Sequence, residues 1–284
     1  MSGVDQHILE SSMKGKRILI TGAAGSIGSE LCRQLVKNNK VYGLDNNESG
    51  LADIMRELGF PARVGDIRDE ATLRDVFDDF RPHIVYHAAA LKHVDMVEYA
   101  PIEAIKTNIL GTYNVLQLSK IYEVEKFVFI STDKVVNAQS IMGNTKKTGE
   151  VMTVNQGYVA VRFANVLGSR GSVIPLWERQ INQGGPVTVT DDRMERYMMT
   201  IEEAVALVIE AGNASPGGET WVMDMGEPIR ILDLAKEIVR LSGRKIKIQQ
   251  TGLRPGETLG ERLMTVEEEA RATKHGKFFI IKRI

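Results

Sequence analysis

Short apolar runs rich in β-branched residues alternate with longer amphipathic segments from residue 17 to about residue 165. The runs predict buried strands, and the segments between them repeat apolar residues at helical spacing. Strands and helices that alternate at this interval imply an α/β fold with a doubly wound parallel sheet. The predicted strands are residues 17–22, 40–45, 62–66, 83–89, 126–132 and 158–165. The predicted apolar helical faces are Ile27 with Leu31, Leu35 and Val36, Leu73 with Val76 and Phe77, and Ile105 with Ile109, Tyr113 and Leu116.

The regular alternation of predicted strands and helices ends after residue 166, where Gly- and Pro-rich breaks such as NQGGPVTV and TGLRPGE separate shorter elements. We therefore expect a Rossmann-type domain over residues 1–166 and a smaller substrate-binding region over residues 167–284, with elements partly interleaved with the first domain. Ligands of such sheets bind beyond the carboxyl ends of the strands. The residues that directly follow each strand are thus the first candidates for a site.

The charge balance gives no reason to expect nucleic acid or an anionic membrane as a partner. Lys and Arg total 36 against 37 Asp and Glu, a net charge of −1. Cys32 is the only cysteine, which fits a reducing compartment. No apolar run approaches the ~20 residues of a membrane span, and MSGVDQHILESSMKGKR lacks the apolar core of a secretion signal, so we expect a cytoplasmic protein without membrane insertion. His83, His87 and His93 straddle a predicted strand and its loop, so no metal site is expected.

The segment TGAAGSIGSE places Gly22, Gly25 and Gly28 between the first strand and the first helix. Such glycines let the backbone approach a pyrophosphate at the amino end of the helix, beside Ser26 and Ile27. A plain tight turn is the alternative interpretation. The position of the motif, after a strand and before an amphipathic helix, favours a dinucleotide site.

Asp45 ends the second predicted strand and is placed to accept hydrogen bonds from a ribose diol. Its charge would repel a 2′-phosphate, so the sequence favours NAD over NADP; a loop-capping role for Asp45 is the alternative. The other candidates for cofactor contacts follow the third and fourth strands: Asp66 and Ile67 at the adenine edge, and Ala88 and Ala89 where small side chains let the cofactor pass.

The fifth strand ends in Ser131, Thr132, Asp133 and Lys134, where the nicotinamide of a bound cofactor is expected. Hydride transfer at an alcohol needs one proton acceptor, whereas elimination of water also needs a base for a C–H and an acid for the leaving hydroxyl. Asp133 and Lys134 could supply these two groups, with a surface ion pair as the alternative. Thr132 is the candidate for relaying the proton of the alcohol.

A helix predicted to begin near Gly143 carries Met142 and Lys146 on one side, four residues apart. Dehydrogenases with a Tyr-x-x-x-Lys pair have a proton-transferring Tyr at the first of these positions, and Met cannot replace it chemically. We expect Lys146 to bind the ribose of the nicotinamide. The alternative is that Lys146 is a surface lysine and Met142 fills the core.

Four stretches together resemble the nucleotide-sugar 4,6-dehydratases of the extended short-chain dehydrogenase/reductase superfamily, and specifically the UDP-N-acetylglucosamine 4,6-dehydratases of bacterial polysaccharide synthesis. They are HAAALKHVDMVEYAPIEAIKTNILGTYNV, FISTDKVVNAQSIMGNTKK, NVLGSRGSVIPLWERQINQGGPVTVT and LRPGE. The resemblance implies that NAD oxidises C4 of a UDP-sugar, a proton leaves C5, water leaves C6, and the hydride returns to C6.

By the same resemblance, Asp133 is the acid for the C6 hydroxyl and Lys134 the base at C5. The implied substrate contacts are Lys92, which also lies near the cofactor, Asn165, Val166, Ser172 and Val173 beside the diphosphate, and Arg254 with Glu257 at the nucleoside end. For the last two, a turn cap in RPGE is the alternative.

Two residues depart from the pattern of the family. Met142 resembles the membrane-anchored branch, whose members keep the C5 configuration, and Ala164 stands where Gly is common. Two other functions remain open. A 4-epimerase or ketoreductase would leave Asp133 and Lys134 without a task, and a non-catalytic NAD-binding module would explain Met142. The superfamily also implies a homo-oligomer, with residues 105–118 as a candidate interface.

Overall fold

The computed structural model describes residues 14–283, and a nine-stranded sheet forms its centre. When the strands are numbered along the chain, they lie in the order 14-15-11-6-5-4-1-2-3, and the seven strands from 11 to 3 run parallel. The order 3-2-1-4-5-6 within it is that of a dinucleotide-binding sheet. The predicted α/β fold with a doubly wound parallel sheet is confirmed.

The first six strands fall where the apolar runs predict them, with some ends shorter than predicted. They are β1 (Arg17–Thr21), β2 (Lys40–Asp45), β3 (Ala62–Val64), β4 (Ile84–His87), β5 (Lys126–Thr132) and β6 (Val159–Phe163). β3 ends two residues early because Gly65 and Asp66 already turn toward the next helix. Polar and small residues at a strand end thus belong to the loops that form the ligand edge.

Helices cover both faces of the sheet and bury one apolar stripe each. On one face pack α1 (Ser26–Leu35), α2 (Glu48–Leu58) and α9 (Ile201–Ala214). On the other face pack α3 (Glu70–Phe80), α6 (Thr112–Ile121) and α7 (Ile141–Asn155). Two short helices, α4 (Val94–Tyr99) and α5 (Pro101–Ala104), precede a π-helical stretch over Ile105–Gly111.

One predicted helix start is shifted by two residues, and one predicted apolar face is wrong. The helix with Lys146 begins at Ile141, because Ser140 caps it by accepting a hydrogen bond from the Gly143 amide at 3.1 Å. The face from Ile105 to Leu116 is not one buried stripe, since Ile105 and Tyr113 are exposed whereas Leu116 is fully buried. The π-helical turns over residues 105–111 shift the side chains out of the simple helical register.

The part of the chain after residue 166 divides between the central sheet and a smaller unit over its carboxyl edge. β11 (Glu219–Met223), β14 (Thr273–His275) and β15 (Phe278–Lys282) extend the sheet. The smaller unit buries Trp177, Ile181 and Val187 between α8 (Val173–Asn182) and α10 (Ile231–Leu241). Its short strands are β7 (Asn165–Val166), β8 (Val187–Val189), β9 (Glu195–Arg196), β10 (Met198–Met199), β12 (Ile229–Arg230) and β13 (Ile248–Gln250), and α11 (Val266–Arg271) lies beside β15. The boundary at residue 166 stays a prediction.

Within residues 14–283, no helix combines the length and the apolar character that crossing a membrane requires.

Candidate active site

A cavity of about 890 Å³ lies at the carboxyl edge of the sheet, between the glycine loop and the smaller unit. Most of the predicted site residues line it: Gly22, Gly25, Ser26, Ile27, Gly28, Ala88, Lys92, Ser131, Thr132, Asp133, Lys134, Met142, Lys146, Asn165, Val166, Ser172, Val173, Arg254 and Glu257. Four lie outside its lining, namely Asp45, Asp66, Ile67 and Ala89. The cavity is therefore one continuous space that connects the glycine loop, the end of β5 and the RPGE loop.

The glycine loop is held by contacts that leave no room for side chains. Gly22 has φ +72°, and a Cβ there would lie 2.6 Å from the Ala89 amide nitrogen. A Cβ on Gly28 would lie 2.0 Å from the Gly22 carbonyl oxygen. Gly25 precedes the first turn of α1, where the amides have no partner within the helix, and Ser26, Ile27 and Gly28 of this turn line the cavity. The loop can therefore hold an anion at the amino end of α1.

Gly28→Ala is expected to lower the free energy of unfolding by about 1–3 kcal/mol, because the added methyl group forces α1 away from β1. Chemical denaturation monitored by circular dichroism measures this change. Gly260→Ala is the matched control, since a Cβ at Gly260 meets no atom within 4 Å. An equal, small effect of both substitutions would contradict the close approach of the two backbone segments.

Asp45 holds the loop that surrounds it. One carboxylate oxygen accepts from the Ala24 amide at 2.8 Å, and the other accepts from the Asn47 amide at 2.8 Å. Each oxygen keeps a second lone pair, so the capping role and a hydrogen bond to a ribose are compatible. Asp66 is paired with Arg68 at 2.7 Å, and the buried Ile67 packs under Gly111.

The side chains at the end of β5 form a connected group. The Thr132 hydroxyl donates to Asp133 Oδ1 at 2.9 Å, and the Lys134 ammonium donates to the same oxygen at 3.0 Å. Asp133 is 1% exposed, so a solvated surface ion pair does not describe it. The short 3₁₀ turn Asp133–Val135 directs Asp133 and Lys134 to the cavity that Thr132 also lines.

Lys134 Nζ also lies 2.9 Å from Glu261 Oε1, and Glu261 is in turn 3.4 Å from Arg196 Nε. Burial raises the pKa of Asp133, and the neighbouring Glu261 raises it further, although Lys134 acts in the opposite direction. Burial lowers the pKa of Lys134, but the two carboxylates outweigh this and raise it above its ordinary value. At neutral pH the site therefore holds a protonated Lys134 between Asp133, whose raised pKa favours its acid form, and the carboxylate of Glu261.

Lys146 is 6% exposed and points under the end of β5. Its ammonium donates to the Ile130 carbonyl and lies 4.1 Å from the centre of the Phe129 ring. Burial lowers the pKa of Lys146 to about 7, against the opposing effect of Glu150. Met142 is 3% exposed, packs on Val97, and shares the cavity wall with Lys146.

The smaller unit contributes the opposite wall. Asn165 approaches Lys134 Nζ at 3.4 Å, and Val166 follows it in β7. Ser172 precedes α8, and its hydroxyl is buried without a hydrogen-bond partner among the described residues. Together with the first amides of α8 near Val173, this hydroxyl is placed to donate to an anionic group of a ligand.

The RPGE loop closes the far end of the cavity. Glu257 accepts from the Arg254 amide at 2.9 Å, which is the turn cap considered above. The Arg254 guanidinium is half-exposed and contacts Asp95 at 3.2 Å, so it remains accessible from the cavity. Lys92 lines the cavity between the glycine loop and α4.

Sequence reasoning missed several residues of this site. Glu261 stands only four residues after Glu257, but nothing in its local sequence signals burial beside Lys134. Asn108 is 1% exposed and joins the Leu91 backbone to Thr145 in α7. Arg170 donates to the Ala24 carbonyl at 2.9 Å and so bridges the smaller unit to the glycine loop. Arg196 also lines the cavity, and its Nε lies 3.4 Å from Glu261 Oε1.

No group of three or more His, Cys, Asp or Glu side chains in residues 14–283 is arranged to hold a metal ion.

The sequence matches one protein family and several known proteins. A family described as "Polysaccharide biosynthesis protein" matches residues 18–283. The chain is 48% identical to the capsular polysaccharide biosynthesis protein CapD of Staphylococcus aureus over 93% of this chain and 48% of CapD. The chain thus spans about half the length of that relative.

Two other relatives carry different enzyme names. The UDP-glucose 4-epimerase of Rickettsia bellii is 34% identical over 94% of this chain and 82% of the relative. The inverting UDP-N-acetylglucosamine 4,6-dehydratase of Campylobacter jejuni is 32% identical over 94% of this chain and 82% of the relative.

Among solved structures, Pen from Bacillus thuringiensis superposes with a TM-score of 0.90 at 36% identity, over 95% of this chain and 89% of Pen. The NAD complex of the UDP-glucose 4-epimerase of Thermus thermophilus shares the fold, with a TM-score of 0.79 at 24% identity over 89% of this chain and 92% of that one.

Proposed function

The chain belongs to the polysaccharide biosynthesis protein family of extended short-chain dehydrogenases/reductases, and on that premise we propose that it is an NAD-dependent UDP-N-acetylglucosamine 4,6-dehydratase. The reaction oxidises C4, eliminates water across C5 and C6, and returns the hydride to C6, with the C5 configuration retained. The observation that carries the proposal is the buried acid and ammonium pair, Asp133 and Lys134, beside Thr132 in the cavity.

NAD fits the glycine-loop end of the cavity, where the amides at the start of α1 face a pyrophosphate and Asp45 keeps lone pairs for a ribose diol. The NAD-bound epimerase with the same fold supports this choice of cofactor. When bound, NAD supplies the hydride acceptor for C4 and the hydride donor for C6. Lys146 holds the ribose of the nicotinamide, and Ser131 lies behind it, bonded to Glu150 at 2.6 Å.

In the elimination, Asp133 donates its proton to the C6 hydroxyl and Lys134 accepts the C5 proton. The raised pKa of Asp133 suits an acid that must be protonated near neutral pH. Thr132, whose hydroxyl donates to Asp133 Oδ1, relays the proton of the C4 hydroxyl. Asn165, Val166, Ser172 and Val173 take the diphosphate, and Arg254 with Glu257 takes the nucleoside.

The test is an NMR time course of the purified protein with UDP-N-acetylglucosamine in deuterated water. The expected result is a new C6 methyl signal, deuterium at C5 and no net NADH, with couplings at C5 that report retention. Conversion to the C4 epimer without loss of water would contradict the proposal and identify the alternative below.

A nucleotide-sugar 4-epimerase or ketoreductase is the second candidate, and the epimerase name of the relative from R. bellii favours it. Such an enzyme needs only the alcohol proton relay, so Asp133→Asn would leave its turnover unchanged. A non-catalytic NAD-binding module is the third, and only Met142 favours it. An unchanged sugar spectrum across UDP-, GDP- and dTDP-sugars, with NAD bound, would support the module.

Met142→Leu is expected to keep kcat within about threefold of the wild-type value, because Met142 packs in an apolar cluster and a volume-conserving exchange there costs little. Steady-state kinetics of product formation measure this. Lys146→Met is the contrasting variant, in which loss of the ribose contact lowers activity. A drop of more than about tenfold for Met142→Leu, at unchanged stability, would assign Met142 a chemical part that its side chain does not suggest.

A further inference from the structure

Arg170 ties the smaller unit to the glycine loop at two points. Its backbone amide donates to the Ser26 hydroxyl at 3.0 Å, and its guanidinium donates to the Ala24 carbonyl at 2.9 Å. The guanidinium also lies 3.2 Å from the position that a Cβ on Gly50 would take, in the first turn of α2. Arg170 and Ser26 are 144 positions apart in the chain, so these contacts join two separate segments of the fold.

The next residue contacts a different wall of the cavity. Gly171 has φ +72°, and a Cβ there would lie 2.5 Å from His93 Cε1, so its backbone packs directly on the imidazole ring. His93 directly precedes α4. Residues 169–172 all line the cavity, and they form a strap that spans it from the glycine loop to the start of α4.

The strap is a compact turn that can move as one piece. The Ser172 amide donates to the Ser169 carbonyl at 2.9 Å, which closes the turn just before α8 begins. Gly168, which precedes the strap, has φ +70°, and a Cβ there would meet no atom within 4 Å. Rotation at Gly168 therefore meets no obstacle once the contacts of Arg170 are broken.

The contacts of the strap leave the groups that would bind NAD available. Ser26 Oγ accepts from the Arg170 amide, so the proton of its hydroxyl remains for a diphosphate oxygen. Arg170 binds the Ala24 carbonyl, whereas Asp45 accepts from the Ala24 amide, so the Asp45 carboxylate keeps lone pairs for a ribose. The strap and a bound cofactor therefore do not compete for the same atoms.

We propose that the strap retains NAD and that Arg170 is the residue that holds the strap closed. A diphosphate at the amino end of α1 lies beside Ser26, and thus between the sheet edge and the strap. NAD can then enter or leave only when Arg170 releases the Ala24 carbonyl. Retention requires only that NAD bind at the glycine loop. Its consequence for turnover rests on the proposed dehydratase function, in which the NADH formed at C4 has to stay until it reduces C6.

The test measures how fast NAD leaves the protein. Wild type, Arg170→Met and Arg179→Met are loaded with radiolabelled NAD and chased with unlabelled NAD, and the equilibrium Kd is measured by dialysis. Arg179 is an exposed arginine of α8 outside the cavity lining, which makes its variant the matched control. We expect Arg170→Met to raise the dissociation rate ~10-fold or more, because it removes a hydrogen bond from a charged group. The Kd should stay within about threefold of wild type, because a barrier slows entry and exit alike.

Two results would overturn the proposal. One is a dissociation rate of Arg170→Met equal to that of Arg179→Met. The other is a rise in Kd as large as the rise in the dissociation rate, since that describes a direct contact between Arg170 and NAD instead of a barrier. Arg170→Lys keeps the charge but not the planar guanidinium, and its dissociation rate should lie between those of wild type and Arg170→Met.

Turnover of UDP-N-acetylglucosamine provides a second measurement. Wild type should form product without added NAD. Arg170→Met should release NADH into solution, slow down after the first turnovers, and regain a kcat within about threefold of wild type when NAD is added, because its proton-transferring groups are intact. A fall in kcat that added NAD does not restore would contradict the proposal, since it would assign Arg170 a part in the chemistry.

Failure of the proposed function gives a different result. If wild-type protein converts no sugar nucleotide, the dehydratase assignment fails, while the exchange of labelled NAD still tests the strap. If wild type forms the product and Arg170→Met holds NAD as long as wild type does, only the role of the strap fails.

Discussion

Asp133→Asn is expected to lower the rate of water elimination by ~10²- to 10⁴-fold, because an amide cannot supply the proton that the C6 hydroxyl needs to leave. The change is isosteric, and its NH₂ group can donate to the Glu261 carboxylate that faces Asp133. Folding and cofactor binding should therefore persist. Single-turnover NMR of product formation measures the loss, with NADH formation as the internal reference.

The same residue predicts a pH dependence. Burial and the neighbouring Glu261 raise the pKa of Asp133, so its acid form persists to a higher pH than in an exposed Asp. Because only the protonated form can act, the elimination rate should fall as pH rises through that raised pKa. Asp75→Asn, an exposed partner of Arg63, is the matched control and should leave rate and pH profile unchanged. An elimination rate equal to that of wild type in Asp133→Asn would show that another group is the acid for the C6 hydroxyl.

Arg162→Met is expected to destabilise the fold by about 3–5 kcal/mol, since it leaves two buried carboxylates without their cation. Arg162 is fully buried and donates to Glu150 at 2.7 Å and to Glu268 at 2.8 Å. This group joins β6 to α7, which carries Lys146, and to α11 near the C-terminal end of the described chain. Urea denaturation followed by circular dichroism measures the free energy of unfolding.

The stability lost in Arg162→Met should become smaller as pH falls. Burial raises the pKa of Glu268, but the hydrogen bonds and charge of Arg162 outweigh it and hold the value at about 2. A depressed folded-state pKa contributes stability above the unfolded-state value near 4.5, and that stability is lost as pH falls toward about 2. The difference between wild type and Arg162→Met should therefore shrink at acidic pH.

Arg240→Met removes an exposed ion pair with Glu237 and is the control, with an expected effect below about 1 kcal/mol. The double variant Glu150→Gln with Arg162→Met should regain part of the lost stability, because one of the two uncompensated charges is gone. Equal effects of Arg162→Met and Arg240→Met would contradict a buried network.

Local sequence patterns were enough for the sheet and for its ligand edge. The runs at residues 17–22 and 126–132 contain the uninterrupted apolar stretches 18–20 and 127–130, and such stretches are typical of strands buried on both faces. The glycines after β1 and the polar residues after β5 then mark the two ends of one edge. Periodicity failed at residues 105–116 because a π-helical stretch changes the number of residues per turn, which single-residue patterns do not report.

Local sequence patterns likewise identified some residues of the candidate site and missed others. Asp133, Lys134 and Lys146 were found because they lie within 15 residues of one strand end and one helix start, so local spacing predicts their proximity. Sequence reasoning did not identify Glu261 or Arg162, because their ion-pair partners are remote in the chain. Lys134 lies 127 positions from Glu261, and Glu268 lies 106 positions from Arg162.

The sequence by itself determined the alternation of strands and helices, the glycine loop and the row of polar residues at the end of β5, since each depends on neighbours in the chain. Only the tertiary structure decided the protonation of that row. The charge of Asp133 and of Lys134 depends on burial and on the carboxylate of Glu261, which folding brings into the cavity from the far end of the chain. Coulomb energies in a buried site depend on distances of a few ångströms, and such distances between remote segments exist only after the chain has folded.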